Sequence, residues 1–237
     1  MKSRKILLFP FGSHGDVHPF VGLAVALRSR GHEVTIIVNG YFRELVERVG
    51  LDYIEQGSEE EFLEVANNPD LWHPIRGFPH LVKHGIAKVM RDQFNLISEE
   101  SSQSDILVIS NCLGFGCRIA AEKLGVPLVT VHLQPAVILS AYDPPTFPNM
   151  ISGRWVPRWL LRTQFRLAEL LVIDRASLPV INPFRAELGL APTKKVLTWF
   201  HSPTCVLCLF PDWYAPKQPD WPVNSYLTDF PFWDEST

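Results

Sequence analysis

The sequence is short of cysteine, of net charge and of long apolar runs, and each shortage removes a class of function. Four of its 237 residues are cysteine: Cys112, Cys117, Cys205 and Cys208. Cys205 and Cys208 have the spacing of a zinc knuckle, but the run 204–210 reads as a strand without the glycine turn a knuckle needs. Residues three apart on a strand face opposite sides, so buried free thiols are expected and no metal site. The formal net charge of −3 gives no global attraction to nucleic acid or to an anionic membrane. No stretch reaches the roughly 18 apolar residues of a membrane span. Met1-Lys2-Ser3-Arg4, with only five residues before Pro10, is too short for a signal peptide. A cytoplasmic location is the expectation. The chain carries neither an internal repeat nor a low-complexity segment.

What it does carry is an alternation of strand and helix patterns. Strands are expected at 5–9, 32–38, 51–55, 105–110, 127–132 and 204–210, with helices at 41–49, 58–66, 78–101 and 115–124 between them. This is the pattern of an α/β fold with a doubly wound, mainly parallel sheet. The proline-rich run 134–148 reads as a loop over the strand ends. The segment 154–185 reads as helical in pieces, interrupted at Pro157, Pro179 and Pro183. Beyond 213, prolines alternate with Trp221, Tyr226, Phe230 and Trp233, as in a linker that docks onto something.

The stretch from Phe9 to Pro19 carries the most information. It reads as strand, glycine loop and helix start, with Pro19 in the first helical turn and Phe20, Leu23, Ala24 and Leu27 at helical spacing until Gly31. Such a loop lies at the carboxyl end of a first parallel strand, where open α/β sheets place their ligands. It holds one carboxylate, Asp16, flanked by two imidazoles, His14 and His18, a cluster suited to proton transfer. Asp16 equally suits a plain helix cap. His14 and His18 read as base, phosphate contact or surface residues. Gly12, Ser13 and Gly15 permit a tight turn, or bring backbone amides close to an anion at the helix N-terminus.

The pattern Gly-Ser-x-Gly-Asp-Val-x-Pro at Gly12 to Pro19, with His32-Glu33-Val34-Thr35 after Gly31, resembles the N-terminal domain of GT-B glycosyltransferases. The likeness is to the antibiotic, macrolide and sterol or lipid branches of the UDP-glycosyltransferase superfamily. It continues through Ser104 to Val108, Ala120 to Pro127, Phe210 to Trp213 and Leu227 to Phe230. It implies a Rossmann-like acceptor-binding domain over 1–213 and an interdomain linker over 214–237. A donor-binding C-terminal domain is absent from this chain, and the expectation is a piece of a longer enzyme.

The resemblance further implies an inverting, metal-independent transfer of a hexose from a nucleotide sugar, UDP- or dTDP-linked, to an acceptor hydroxyl. No resident cofactor is implied. Asp16 matches the family's base. Gly12, Ser13 and Gly15 match the loop near the donor diphosphate. Asn111 stands where relatives with a histidine base carry a partner aspartate. His132, Gln134 and Asn111 are expected to bind the acceptor, His132 and Gln134 orienting its hydroxyl, with 72–81, 132–147 and the helix from Trp155 as apolar walls for a lipophilic acceptor. Arg154, Arg158, Arg162 and Arg166, four apart among tryptophans, form one stripe if the helix continues past Pro157, which offers peripheral membrane contact.

Two other classes of protein share part of this pattern. A nicotinamide-dependent oxidoreductase shares the first strand, loop and helix, but Gly12-x-x-Gly15 is not G-x-G-x-x-G. The second strand also ends in Val38-Asn39-Gly40, without the acidic residue that binds a ribose. The other rival is a non-catalytic small-molecule binding module. Nucleic-acid binding has no support beyond the arginine stripe.

Overall fold

The structure, a computed structural model, describes residues 3–148 and 150–233. Seven parallel strands form one sheet in the order β3-β2-β1-β4-β5-β6-β7. β1 is Lys5–Phe9, β2 Glu33–Val38, β3 Asp52–Glu55, β4 Ile106–Asn111, β5 Leu128–His132, β6 Cys205–Cys208 and β7 Ser225–Leu227. The helices that cross between strands are α1 (His14–Arg28), α2 (Arg43–Arg48), α3 (Glu59–Ala66), α4 (Gly77–Leu81), α5 (Ala87–Gln103), α6 (Phe115–Leu124), α7 (Arg158–Ala168), α8 (Arg175–Glu187) and α9 (Val196–Trp199).

The period-two alternation of a strand explains how one sheet supports two cores. Leu7 and Phe9 of β1 face one side, where Met90 and Phe94 of α5, Ile119 of α6 and Ile181 of α8 cover them. Ile6 and Leu8 face the other side, against Val17, Phe20 and Val21 of α1 and Leu45 and Val46 of α2. The sheet is therefore doubly wound, as the apolar runs implied. α8 is tied down by Arg185, 3% exposed, which binds Glu122 of α6 through two hydrogen bonds of 2.7 Å.

The order reverses between β1 and β4, so a crevice opens outside the carboxyl ends of these strands. Asn111 braces that crevice. Its Nδ2 donates to the Phe11 carbonyl at 2.6 Å while its Oδ1 accepts the Leu113 N–H at 3.2 Å.

Several elements differ from the sequence expectation. α1 starts at His14 with Ser13 as its cap, leaving Pro19 inside the helix. A serine followed three residues later by a carboxylate is a capping pattern, and it overrides the proline as a start signal. The expected helix 78–101 is divided by a π-helical turn at Val82–Ile86. α8 runs unbroken through Pro179 and Pro183, while the break falls at the π-helical turn Glu169–Asp174. Burial of Ile181, Phe184 and Arg185 holds the helix past each lost backbone bond.

The segment 214–237, expected as a linker that docks onto something, contributes a strand. β7 pairs with β6, and Trp221 packs with Val206, Cys208 and Phe210. Residues 234–237 lie outside the described part.

The arginine stripe is not one surface. α7 begins only at Arg158, after Pro157, so Arg154 is off the helix. Arg154 pairs with Asp143 at 3.2 Å, Arg158 stacks over the Tyr142 ring, and Arg166 binds Glu169 and Asp174. Among the described residues no helix is long and apolar enough to cross a membrane.

Candidate active site

The loop after β1 is shaped by one contact. Gly12 has φ +137°, and a Cβ there would lie 2.1 Å from Asp16 Oδ2. Only glycine allows both this backbone and this approach. Asp16 Oδ2 accepts the Ser13 N–H at 2.8 Å and the Ser13 hydroxyl at 3.3 Å. Both bonds fall on one oxygen, so Oδ1 has no partner among the described residues. The carboxyl is half-buried, and burial raises its pKa above the ordinary aspartate value against the opposing bonds from Ser13. Asp16 thus caps the helix with one oxygen and keeps the other free.

The structure separates the anticipated His–Asp–His cluster. In a helix, residues four apart share a face and the residue midway points away from it. The His14 and His18 rings meet edge to face at 5.4 Å. His14 also packs on Tyr41 and Phe42, and His18 on Trp233. No hydrogen bond or ion pair among the described residues joins either imidazole to Asp16. The separation follows from the early start of α1, which makes all three residues helical.

Asp16 opens onto a cavity of about 360 Å³ at the carboxyl ends of the first four strands. Its walls are mostly apolar, with Phe11, Phe62, Leu71, Trp72, Leu81 and Leu113 prominent. Ser13, Gln56, Glu61, His84 and Lys88 are among the polar lining groups. Trp72 and Leu81, the two ends of the segment 72–81, line this cavity. The segment 132–147 and the helix from Trp155 do not reach this cavity.

The residues expected to orient an acceptor also lie elsewhere. His132 is 1% exposed and packs against Phe200 and His201. Gln134 is exposed and precedes the 3-10 turn Pro135–Val137. Asn111 works as the brace described above. His132 is the last residue of a strand inside the sheet, and that end is covered by the segment after α9.

The sequence reading passed over Gln56, Glu61, Phe62, His84 and Lys88. A signal for them existed in α3, where Phe62, Val65 and Ala66 form an apolar stripe although no residue of that helix is buried. Phe62 packs in part against the core beside Tyr41 and Phe42, and with Val65 and Ala66 it also lines the cavity.

The buried imidazoles carry a pH dependence. Neither nitrogen of His132 nor Nε2 of His201 has a hydrogen-bond partner among the described residues. Burial lowers both pKa values, that of His201 to about 4. Unfolded histidine takes up a proton near pH 6.5. These groups therefore contribute full stability above about pH 6.5, and it is lost as the pH falls from there through about 4. For His201 alone the loss is on the order of 3 kcal/mol. Urea unfolding at pH 7.5 and pH 5 checks this: the wild-type midpoint should drop, and His132→Leu should shrink the drop. Equal drops in both proteins would refute it.

The fold and site define an α/β protein with a Rossmann-like sheet, an apolar cavity at its switch point and a carboxylate on the cavity wall. Residues 6–142 match the glycosyltransferase family 28 N-terminal domain, and the chain belongs to that family. It is 30% identical to O-mycaminosyltylonolide 6-deoxyallosyltransferase of Streptomyces fradiae, over 98% of this chain and 55% of that protein. A sterol 3-beta-glucosyltransferase of Komagataella phaffii is 29% identical over 58% of this chain and 11% of its own length.

The solved calicheamicin glycosyltransferase CalG4 superposes with a TM-score of 0.63 at 16% identity, over 97% of this chain and 52% of that one. Streptomyces sp. SF2575 glycosyltransferase SsfS6, complexed with thymidine diphosphate, gives 0.55 at 19% identity, over 94% and 52%. The chain thus spans about half the length of the Streptomyces fradiae relative and of these solved structures, and its fold is the N-terminal half of a GT-B fold. The oxidoreductase reading is not favoured.

Proposed function

We propose that this chain is the acceptor-binding half of an inverting, metal-independent glycosyltransferase that moves a hexose from a nucleotide sugar to a hydroxyl of a lipophilic acceptor. The observation that carries the proposal is Asp16, a carboxylate of raised pKa with a free oxygen on the wall of an apolar cavity. Such a cavity suits an apolar ligand with few, well-placed polar groups. A hydroxyl is a poor nucleophile. Asp16 Oδ1 takes its proton as the hydroxyl oxygen bonds to the anomeric carbon, and the nucleoside diphosphate leaves from the opposite face. The sugar configuration inverts in that single displacement.

The donor diphosphate is assigned to the start of α1, opposite a second domain supplied by the rest of the enzyme. The Ser13 N–H is already taken by Asp16, which leaves the His14 and Gly15 amides for an anion. A Cβ at Gly15 would meet nothing within 4 Å, so this face is open to a ligand. SsfS6 binds thymidine diphosphate, which supports a dTDP- or UDP-linked sugar here. His14 and His18 pack rather than transfer protons in this reading. No cofactor is assigned.

The test is an acceptor screen on the full-length enzyme, comparing macrolide and steroid aglycones with free sugars and peptides. Hydrophobic aglycones should be preferred, EDTA should leave turnover unchanged, and the product should show the anomeric configuration opposite to the donor. Preference for polar acceptors would remove the lipophilic assignment, and retention of configuration would remove the inverting one. A second reading, peripheral contact with anionic lipid, is favoured by Trp155 and Trp159, 81% and 69% exposed beside Arg158 and Arg162. Flotation with phosphatidylserine vesicles reads it, and no enrichment over phosphatidylcholine sinks it.

A further inference from the structure

One polar group in the cavity wall has its orientation dictated by the fold. Gly116 is the second residue of α6, and its N–H is one of the donors a helix start leaves unsatisfied. A backbone N–H only donates, so Gln93 of α5 must turn Oε1 towards it, at 3.1 Å. That leaves Gln93 Nε2, which also only donates, and it meets Gln56 Oε1 at 3.1 Å. The amide of Gln56 therefore has its oxygen occupied and its Nε2 unused among the described residues.

The relay is buried and closely fitted. Gln93 is 1% and Gln56 9% exposed. A Cβ on Gly116 would lie 2.1 Å from the Met90 carbonyl and 2.9 Å from Gln93 Oε1, so glycine is needed for α5 and α6 to approach closely enough. Gln56 follows β3 and Asp16 follows β1. With the order β3-β2-β1, the two groups stand two strand spacings, roughly 10 Å, apart along one cavity.

We propose that Gln56 is a specificity residue. Its Nε2 selects acceptor molecules with a hydrogen-bond-accepting oxygen, a ketone or ether, at the end remote from the hydroxyl presented to Asp16. Gln93 is the positioning residue that sets this polarity, through Gly116. The proposal rests on the reading of the cavity as the acceptor site. A donor in a largely apolar wall discriminates strongly, because a bound ligand lacking the matching acceptor leaves it desolvated and unpaired.

The experiment uses the full-length enzyme and two steroids, 3β-hydroxyandrost-5-en-17-one and its deoxo analogue androst-5-en-3β-ol. They share the reactive hydroxyl and differ in the remote ketone. Wild type should favour the ketone about tenfold in kcat/KM, mainly through KM. Gln56→Met should bring the ratio to about one. Gln93→Glu, assayed at a pH where the new carboxyl is ionised, faces Gln56 with acceptors only, so the Gln56 amide turns over and shows its oxygen to the ligand. The ketone preference should then be lost or reversed, although Gln93 touches no substrate. A merely structural role would lower both steroids equally.

An unchanged ratio in Gln56→Met overturns the proposal while the acceptor reading stands, and so does an equal loss on both steroids in Gln93→Glu. If wild type turns over neither steroid yet glycosylates polar acceptors, the lipophilic acceptor reading falls and takes this proposal with it.

Discussion

Asp16→Asn is expected to lower turnover of the full-length enzyme by about 10² or more, the usual contribution of a positioned base. The substitution is conservative in shape. The asparagine carbonyl still accepts the Ser13 N–H and hydroxyl that Asp16 Oδ2 accepts now, so the loop and the start of α1 should hold. What is lost is the free oxygen, replaced by an amide that takes no proton. Donor KM should stay within about twofold, because the loss arises in the transition state. The sign of the pH dependence follows from burial. The ionised carboxylate is the active form and its pKa is raised, so activity should climb with pH through a limb above the ordinary aspartate value of about 3.9. That limb should vanish in Asp16→Asn. Near-normal turnover of the variant would leave Asp16 as a helix cap.

Much of this fold was legible because its strands are continuous apolar runs and its helices end in glycine. β1 and α6 fall where the sequence placed them, and Gly125 ends α6 in the left-handed conformation that such a stop requires. β7 was not legible. Ser225–Leu227 is three residues long among prolines, and nothing local distinguishes it from a linker until β6 supplies its partner.

The site was legible only in its chemistry-bearing loop. Asp16 and Gly12 stand in the crevice that the motif implied, whereas His132 was chosen for its place at a strand end without knowledge of what covers that end. The cavity walls come from α3, α4 and the π-helical turn after it. Phe62 and Leu81 pack against the cores and line the cavity as well, so composition alone does not reveal which of them meets a ligand. The relation of His14 and His18 to Asp16 turned on helix register, since a start five residues later would have left all three in a loop.

Gly12→Ala should damage the enzyme as severely as the loss of the base, by a different route. Two effects add. Alanine at φ +137° is strained, at about 1–3 kcal/mol for such a backbone. Its Cβ would also stand 2.1 Å from Asp16 Oδ2, an overlap that only movement of the carboxylate relieves. Moving it breaks both bonds from Ser13, so the helix start loses its cap and the base loses its position together. A misplacement of about 1 Å at a reacting group costs about 10² in rate. Turnover should therefore fall at least that far, and stability by about 2 kcal/mol or more.

Gly15→Ala separates this mechanism from a general intolerance of the loop. Position 15 is helical, with nothing within 4 Å of an added Cβ, so stability should hold or rise by a few tenths of a kcal/mol. If the donor diphosphate lies over the start of α1, Gly15→Ala raises donor KM without unfolding anything. Urea midpoints and steady-state kinetics on both variants read the pair. Gly12→Ala with wild-type stability and turnover would mean that the loop relaxes around the added methyl, and that the position of Asp16 is not set by the absence of a side chain at Gly12.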